Sequence, residues 1–259
     1  MDDAPLWLIA TVLFCALVLA RELGFWLRWR KRSGSARASS DDEGHVLSVS
    51  LGLLALLIGF TFALALSRHD QQRALVHDEA NAIGTVHAYA GLLNEPEQSN
   101  LRAQLREYVD TRLRYAAARP REDAIALAYA ETEEHQRALG AVVDAAVQAD
   151  RQTSLATALI GATSAMFDAA AARKGAIEAR VPTRVIEVLI LFALIAQGIL
   201  GYVLGDPAQR QRVLGVVLSG LLALALLLVI DLDRPWSGAV QVSQQPMIDL
   251  QESLRRVDD

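Results

Sequence analysis

Apolar residues in this chain gather in blocks, and the blocks alternate with stretches of helical periodicity. Val46 to Leu66 carries no formal charge over 21 residues, enough at about 1.5 Å rise per residue to cross a hydrocarbon core of about 30 Å. Charge begins abruptly at Arg68, yet no proline intervenes and the next glycine is Gly84. The pattern therefore predicts a membrane-spanning helix that continues past the bilayer as an amphipathic one. Leu6 to Ala20, extended past Arg21 and Glu22 through LGFWL, predicts an earlier span with Trp7, Trp26 and Trp29 in an interfacial aromatic belt. Its acidic start, MDDAP, is the reverse of a secretory signal, so the segment is expected to be retained. Val185 to Leu204 and Val213 to Ile230 predict the third and fourth spans, with Pro182 before them and Asp231, Asp233, Arg234 and Pro235 after.

Span two carries two stripes. Gly52, Ala55, Gly59 and Ala63 are small and are expected to pack closely on protein. Leu53, Leu57, Phe60 and Leu64 are bulky and suit lipid, a neighbour or a dry pore. In span three, Glu187 lies one turn from Arg184, the spacing of an interfacial ion pair. Gly198, Gly201 and Gly205 supply a close-packing signal of the G-x-x-x-G kind.

Between spans two and three the pattern is helical with legible breaks. Asn94-Glu95-Pro96-Glu97 and Arg119-Pro120-Arg121-Glu122-Asp123 each close one helix and open another, because proline suits a first turn and acidic side chains favour a helix N-terminus. Leu101, Leu105, Tyr108, Val109, Arg112 and Leu113 form one apolar face. Ile125, Leu127, Ala128, Leu139, Val142, Val143 and Val147 form another amid alanines, with Glu131, Glu133 and Glu134 as a solvated acidic patch. The alanine-rich stretch from Thr153 to Ala179 reads as a bundle helix rather than a span, since Asp168 would be costly near a span centre. The spacing around Met247 to Leu254 suits one short amphipathic helix.

The expected architecture is all-α: an integral membrane protein with four transmembrane helices and a helical bundle inserted between spans two and three. Its parts are 1–45, the first span and a basic loop; 46–67, the second span; 68–183, the bundle; 184–231, spans three and four; and 232–259, a polar tail. The composition agrees, 53% hydrophobic against 21% charged over 259 residues. A net charge of −5 argues against nucleic acid as a partner, and the lone Cys15 permits neither an intrachain disulfide nor a cysteine-based zinc site.

Basic residues set orientation instead. Arg28, Arg30, Lys31, Arg32 and Arg37 in one loop, with Arg210 and Arg212 in another, place both loops in the cytoplasm and the termini and bundle outside it. Arg68, Arg73, Arg173, Lys174, Arg180 and Arg184 flank spans two and three and pull the other way.

No nucleophile elbow, phosphate-binding loop, dinucleotide fingerprint or zinc-protease motif occurs, so no catalytic residue, cofactor or enzymatic activity is expected. His69, Asp70, Arg73, His77, Asp78, Glu79, Asn81 and His87 form one dense polar cluster. On a single helix Asp70 and His77 stand about 10 Å apart along the axis, too far to share an ion. The cluster reads as a polar packing face rather than a metal site.

The segment GFTFALALSRHDQQRALVHDEANAIGT, Gly59 to Thr85, together with RVP at 180–182 and DLDRP at 231–235, resembles the bestrophin-like domain family of bacterial membrane proteins. The matching motif residues are Gly59, Arg68, Glu79, Asn81, Gly84, Thr85 and Pro182, and the resemblance extends from about residue 44 to about residue 250. Ile58 to Arg68 is also distantly similar to true bestrophins, which are pentameric anion channels. That similarity implies a homo-oligomer in the bacterial inner membrane that passes inorganic anions, with Gly52, Leu56 and Phe60 lining a pore neck. It also implies a bundle on the cytoplasmic side. Gly52 is small where the neck is usually bulky, and His69-Asp70 stands where an aromatic pair is usual. The residues alone leave open a non-conducting scaffold or sensor whose bundle binds a partner.

Overall fold

The computed structural model describes residues 5–31, 40–117, 122–149, 154–179, 181–204, 209–234 and 240–256, and within them every regular element is an α-helix. In chain order these are α1 (Leu6–Lys31), α2 (Ser40–Ala90), α3 (Glu97–Ala117), α4 (Glu122–Ala149), α5 (Ser154–Glu178), α6 (Thr183–Val203), α7 (Gln209–Leu232) and α8 (Gln245–Arg256). Four helical stretches are long and apolar enough to cross a membrane: Leu6–Arg30, Glu43–Ala90, Ser154–Val203 and Arg212–Leu232. The third joins α5 to α6 across Pro182, and α6 is its most apolar part. Arg32 and Arg37 of the basic loop, the Arg119-Pro120-Arg121 break, Arg180, Gly205 and Pro235 lie outside the described residues.

The chain forms two compact units, 1–67 with 180–240 and 68–179 with 241–259, and α2 contributes to both. In the first, α1, α2, α6 and α7 share a core that includes Leu13, Leu17, Leu54, Leu189, Ala193, Ala196 and Leu226. α1 and α6 touch backbone to backbone: a Cβ on Gly24 would fall on the Gly198 carbonyl, and one on Gly201 on the Arg21 carbonyl. Only glycine permits that approach. Trp7 and Trp26, both exposed on α1, are 19 residues apart, about 28 Å of helix and close to a hydrocarbon thickness.

Arg21 is buried in this unit. It donates to the Arg212 carbonyl at 3.0 Å and to Glu22 at 2.5 Å, as an intramembrane cation must. Ser219 on α7 lies 3.1 Å from the Gln197 side chain on α6. Arg184 and Glu187 form the expected i,i+3 ion pair at 3.1 Å, both exposed.

In the second unit, α3, α4, α5, α8 and residues 68–90 of α2 enclose a core around Ile83, Leu101, Leu105, Tyr108, Leu139, Leu159 and Met166. The amphipathic segment near the C-terminus is α8, which buries Met247 and Leu254 in that core. Its Gln251 donates to Asp110 at 2.5 Å.

Three expectations are corrected. The loop expected to run to residue 45 is helical from Ser40 on, where Glu43 in the first turn is favoured by the helix dipole and pairs with Arg28 of α1 at 2.7 Å. Leu127, placed on the apolar face of α4, is exposed, while Leu139 and Val143 are buried. The small-residue stripe of α2 is open among the described residues: nothing there lies within 4 Å of a Cβ at Gly52 or Gly59. The face that does pack carries Leu51, Leu54 and Ile58, whose larger side chains join the core of this unit, and Thr61 and Ala65 are buried as well.

Candidate functional site

Two places collect the residues that the sequence singles out, one in each unit. The first is the outward face of α2. Leu51, Leu54 and Ile58 turn toward α1, α6 and α7, so the positions between them turn away. Leu56 is 53% exposed and Phe60 67% exposed, while Gly52 and Gly59 are open. Gly52, Leu56 and Phe60 follow one another at four-residue spacing, and each successive position is displaced by only about 40° around the helix. They form a single apolar stripe without a partner among the described residues. Leu53, Leu57 and Leu64 widen it.

The second is a buried charge cluster around Glu79. Its carboxylate is fully buried and accepts from Arg112 Nε at 2.6 Å, Arg112 Nη2 at 3.1 Å and Arg173 Nη1 at 2.6 Å. The Tyr108 hydroxyl stands 3.4 Å away. Arg173 also donates to the Gln244 amide oxygen at 2.7 Å, and Arg112 lies over the Tyr115 ring with 5.7 Å to the centroid. One anion thus faces two buried cations on α3 and α5. Burial raises the Glu79 pKa, but the two guanidinium groups outweigh it and hold the carboxyl below its usual range. Burial pushes Tyr108 up to about 12, and the Glu79 charge adds to the effect. Tyr115 is pushed up as well, by burial and by its hydroxyl contact with Tyr129.

The other motif residues have separate places. Arg68 donates to the Ala179 carbonyl at 2.7 Å, tying α2 to the end of α5. Asn81 is exposed, and its carbonyl accepts from Thr85 at 3.0 Å. A Cβ on Gly84 would meet Leu250 of α8 at 3.6 Å. Asn81, Gly84 and Thr85 line one wall of a groove of about 760 Å³, with Pro246, Asp249 and Leu250 opposite.

Pro182 opens α6, its carbonyl accepting from Val185 at 2.8 Å. The two short motifs that accompany the long one meet: the Val181 N–H donates to Asp233 at 2.8 Å. Among the described residues no three His, Cys, Asp or Glu side chains converge as metal ligands.

Sequence reasoning missed Arg112 and Arg173 as partners of Glu79, because they lie 33 and 94 residues away. One signal was present. Arg112 sits on the apolar face of α3 with Leu105, Tyr108 and Val109, and a cation on a core face implies a buried anion.

The fold has counterparts among solved structures. A bacterial bestrophin homologue from Klebsiella pneumoniae, in a form carrying a tyrosine-to-alanine mutation, superposes with a TM-score of 0.74 at 12% identity, covering 95% of this chain and 97% of that one. A form of that homologue with a tryptophan-to-alanine mutation gives 0.73 at 14% identity over 98% and 97%, and a form with an isoleucine-to-threonine mutation gives 0.70 at 15% over 95% and 98%. These likenesses concern the fold. No protein with a curated description matches the sequence. The family model for the Bestrophin-like domain matches residues 12–247, nearly the whole length, and the chain belongs to that family.

Proposed function

We propose that this multi-pass membrane protein is a homo-oligomeric passive ion channel, passing inorganic anions, in which α2 lines the pore and Gly52, Leu56 and Phe60 form its neck. The observation that carries this reading is the uncovered apolar stripe of α2, on the helix that also bears the family motif. A Phe that is 67% exposed at the middle of a span faces either lipid or a symmetric copy of itself. Copies arranged around an axis turn the stripe into stacked apolar rings, and a hydrophobic constriction of that kind can gate by dewetting. The bilayer in this reading is the bacterial inner membrane.

Cysteine scanning tests it. In a Cys15→Ser background, Gly52→Cys, Leu56→Cys and Phe60→Cys are expected to react with a water-soluble thiol reagent from the pore and to lose current on reaction. Leu54→Cys, on the packed face, is expected to stay unreactive. Equal silence at all four positions would favour the rival, a non-conducting scaffold or sensor whose helical unit binds a partner.

A further inference from the structure

α1, α6 and the start of α2 enclose a groove of about 700 Å³ on the first unit, apolar over nearly all of its surface. Its floor is low because Gly24 and Gly198 bring two helix backbones into contact there. Its walls are Leu23, Leu27, Ile195 and Tyr202. One end is polar and built. Glu43 reaches the lining and is held by Arg28 at 2.7 Å, while Arg28 also donates to the carbonyls of Tyr202 at 2.8 Å and Val203 at 3.2 Å.

Among the described side chains this end carries one cation without an ion-pair partner. Glu43 is neutralised by Arg28, whereas Arg30 makes no ion pair among the described residues. Leu23, Leu27 and Arg30 are spaced by four and three on α1, so Arg30 continues the groove wall by one turn. It is exposed and lies over the Trp26 ring, 5.2 Å to the centroid, at the level where Trp26 and Trp29 mark the interface. An apolar groove running into the bilayer and ending at a cation beside an aromatic belt has the polarity profile of an anionic phospholipid. A helix from a second copy matches it less well. The uncovered apolar stretches 46–66 of α2 and 213–230 of α7 contain no acidic residue to meet Arg30.

We propose that the groove holds one acyl chain of an anionic phospholipid of the surrounding bilayer, with the headgroup phosphate against Arg30. The proposal is independent of ion conduction. Purified full-length protein, delipidated in detergent and then exposed to mixed micelles of phosphatidylglycerol or phosphatidylcholine, is examined by native mass spectrometry. The wild type is expected to keep one phosphatidylglycerol per chain and about fivefold less phosphatidylcholine, the discrimination of one interfacial cation.

Arg30→Gln should lower phosphatidylglycerol retention by about the same factor and erase the preference. Ile195→Trp fills the groove and should lose both lipids while keeping the wild-type elution volume. Ile195 is 53% exposed, so the larger ring has room outward, and Leu23→Trp on the opposite wall repeats the test should the first variant fail to fold. Equal retention of the two lipids, or undiminished retention in both tryptophan variants, would overturn the proposal. So would a cross-link from Ile195→Cys to a second copy, which would put another chain in the groove.

Discussion

Glu79→Gln removes the one negative charge from a cluster that otherwise holds Arg112 and Arg173, each nearly inaccessible to water. The substitution keeps the volume and most hydrogen-bonding positions, so its effect is chiefly electrostatic. The formal charge of the three side chains rises from +1 to +2, and two buried guanidinium groups lose the carboxylate that each meets at 2.6 Å. Breaking a buried pair by removing one partner costs about 3–5 kcal/mol. Arg173→Gln takes the same cluster from +1 to zero and leaves the bidentate Glu79–Arg112 pair intact. It should cost less, about 1.5–3 kcal/mol for the lost charged hydrogen bonds.

Amide hydrogen exchange in detergent reads this directly. Peptides from 97–117 and 154–178 report on the second unit, while emission from Trp7, Trp26 and Trp29 reports on the first and serves as an internal control. Glu79→Gln is expected to speed exchange in those peptides by roughly two to three and a half orders of magnitude, at about tenfold per 1.4 kcal/mol. Exchange within threefold of wild type, or a larger loss from Arg173→Gln than from Glu79→Gln, would refute the charge-balance reasoning. Acid should act like Glu79→Gln. Because the folded pKa of Glu79 is depressed, its contribution is whole above the ordinary carboxyl value and is lost as pH falls through the folded one.

Further outcomes follow from the same geometry. Tyr108 is raised from 10 to about 12, so its contribution is whole below pH 10 and lost between pH 10 and 12, roughly 3 kcal/mol in all; alkaline unfolding followed by circular dichroism should be shallower in Tyr108→Phe over that window, and an identical profile would refute it. Gly201→Ala drives a methyl into the backbone of α1 at Arg21 and should cost about 1–3 kcal/mol of thermal stability in detergent, whereas Gly52→Ala, with open space around it, should change stability by less than about 0.5 kcal/mol. A reporter fused after residue 259 decides orientation: the basic segments at 28–37 and 210–212 predict an extracytoplasmic C-terminus, and a cytoplasmic reading would mean that Arg68, Arg73 and Arg184 outweigh them.

Much of the fold was legible because lipid imposes a harsh rule on sequence. Long apolar runs mark α2, α6 and α7, and the absence of proline or glycine between Leu66 and Gly84 indicated that α2 continues past the bilayer, as it does to Ala90. Pro96 and Glu97 marked the start of α3, and the amphipathic spacing of Met247 and Leu254 marked α8. What stayed hidden was pairing between distant segments. Which stripe of α2 faces inward depends on neighbours 130 or more residues away, such as Leu189 and Leu226, and the small stripe proved to be the open one. Glu79 was visible as a motif residue, but its role rests on two arginines from separate helices. Arg112 on an apolar face was the one local hint.

The central claim is that the uncovered stripe of α2 lines an ion pathway. Current across planar bilayers containing purified oligomer, wild type beside Phe60→Ala in asymmetric chloride, tests it most directly. The account predicts single-channel steps with a reversal potential set by chloride and a changed conductance in Phe60→Ala. Silence from folded, oligomeric wild-type protein, or steps that Phe60→Ala leaves untouched, would contradict it.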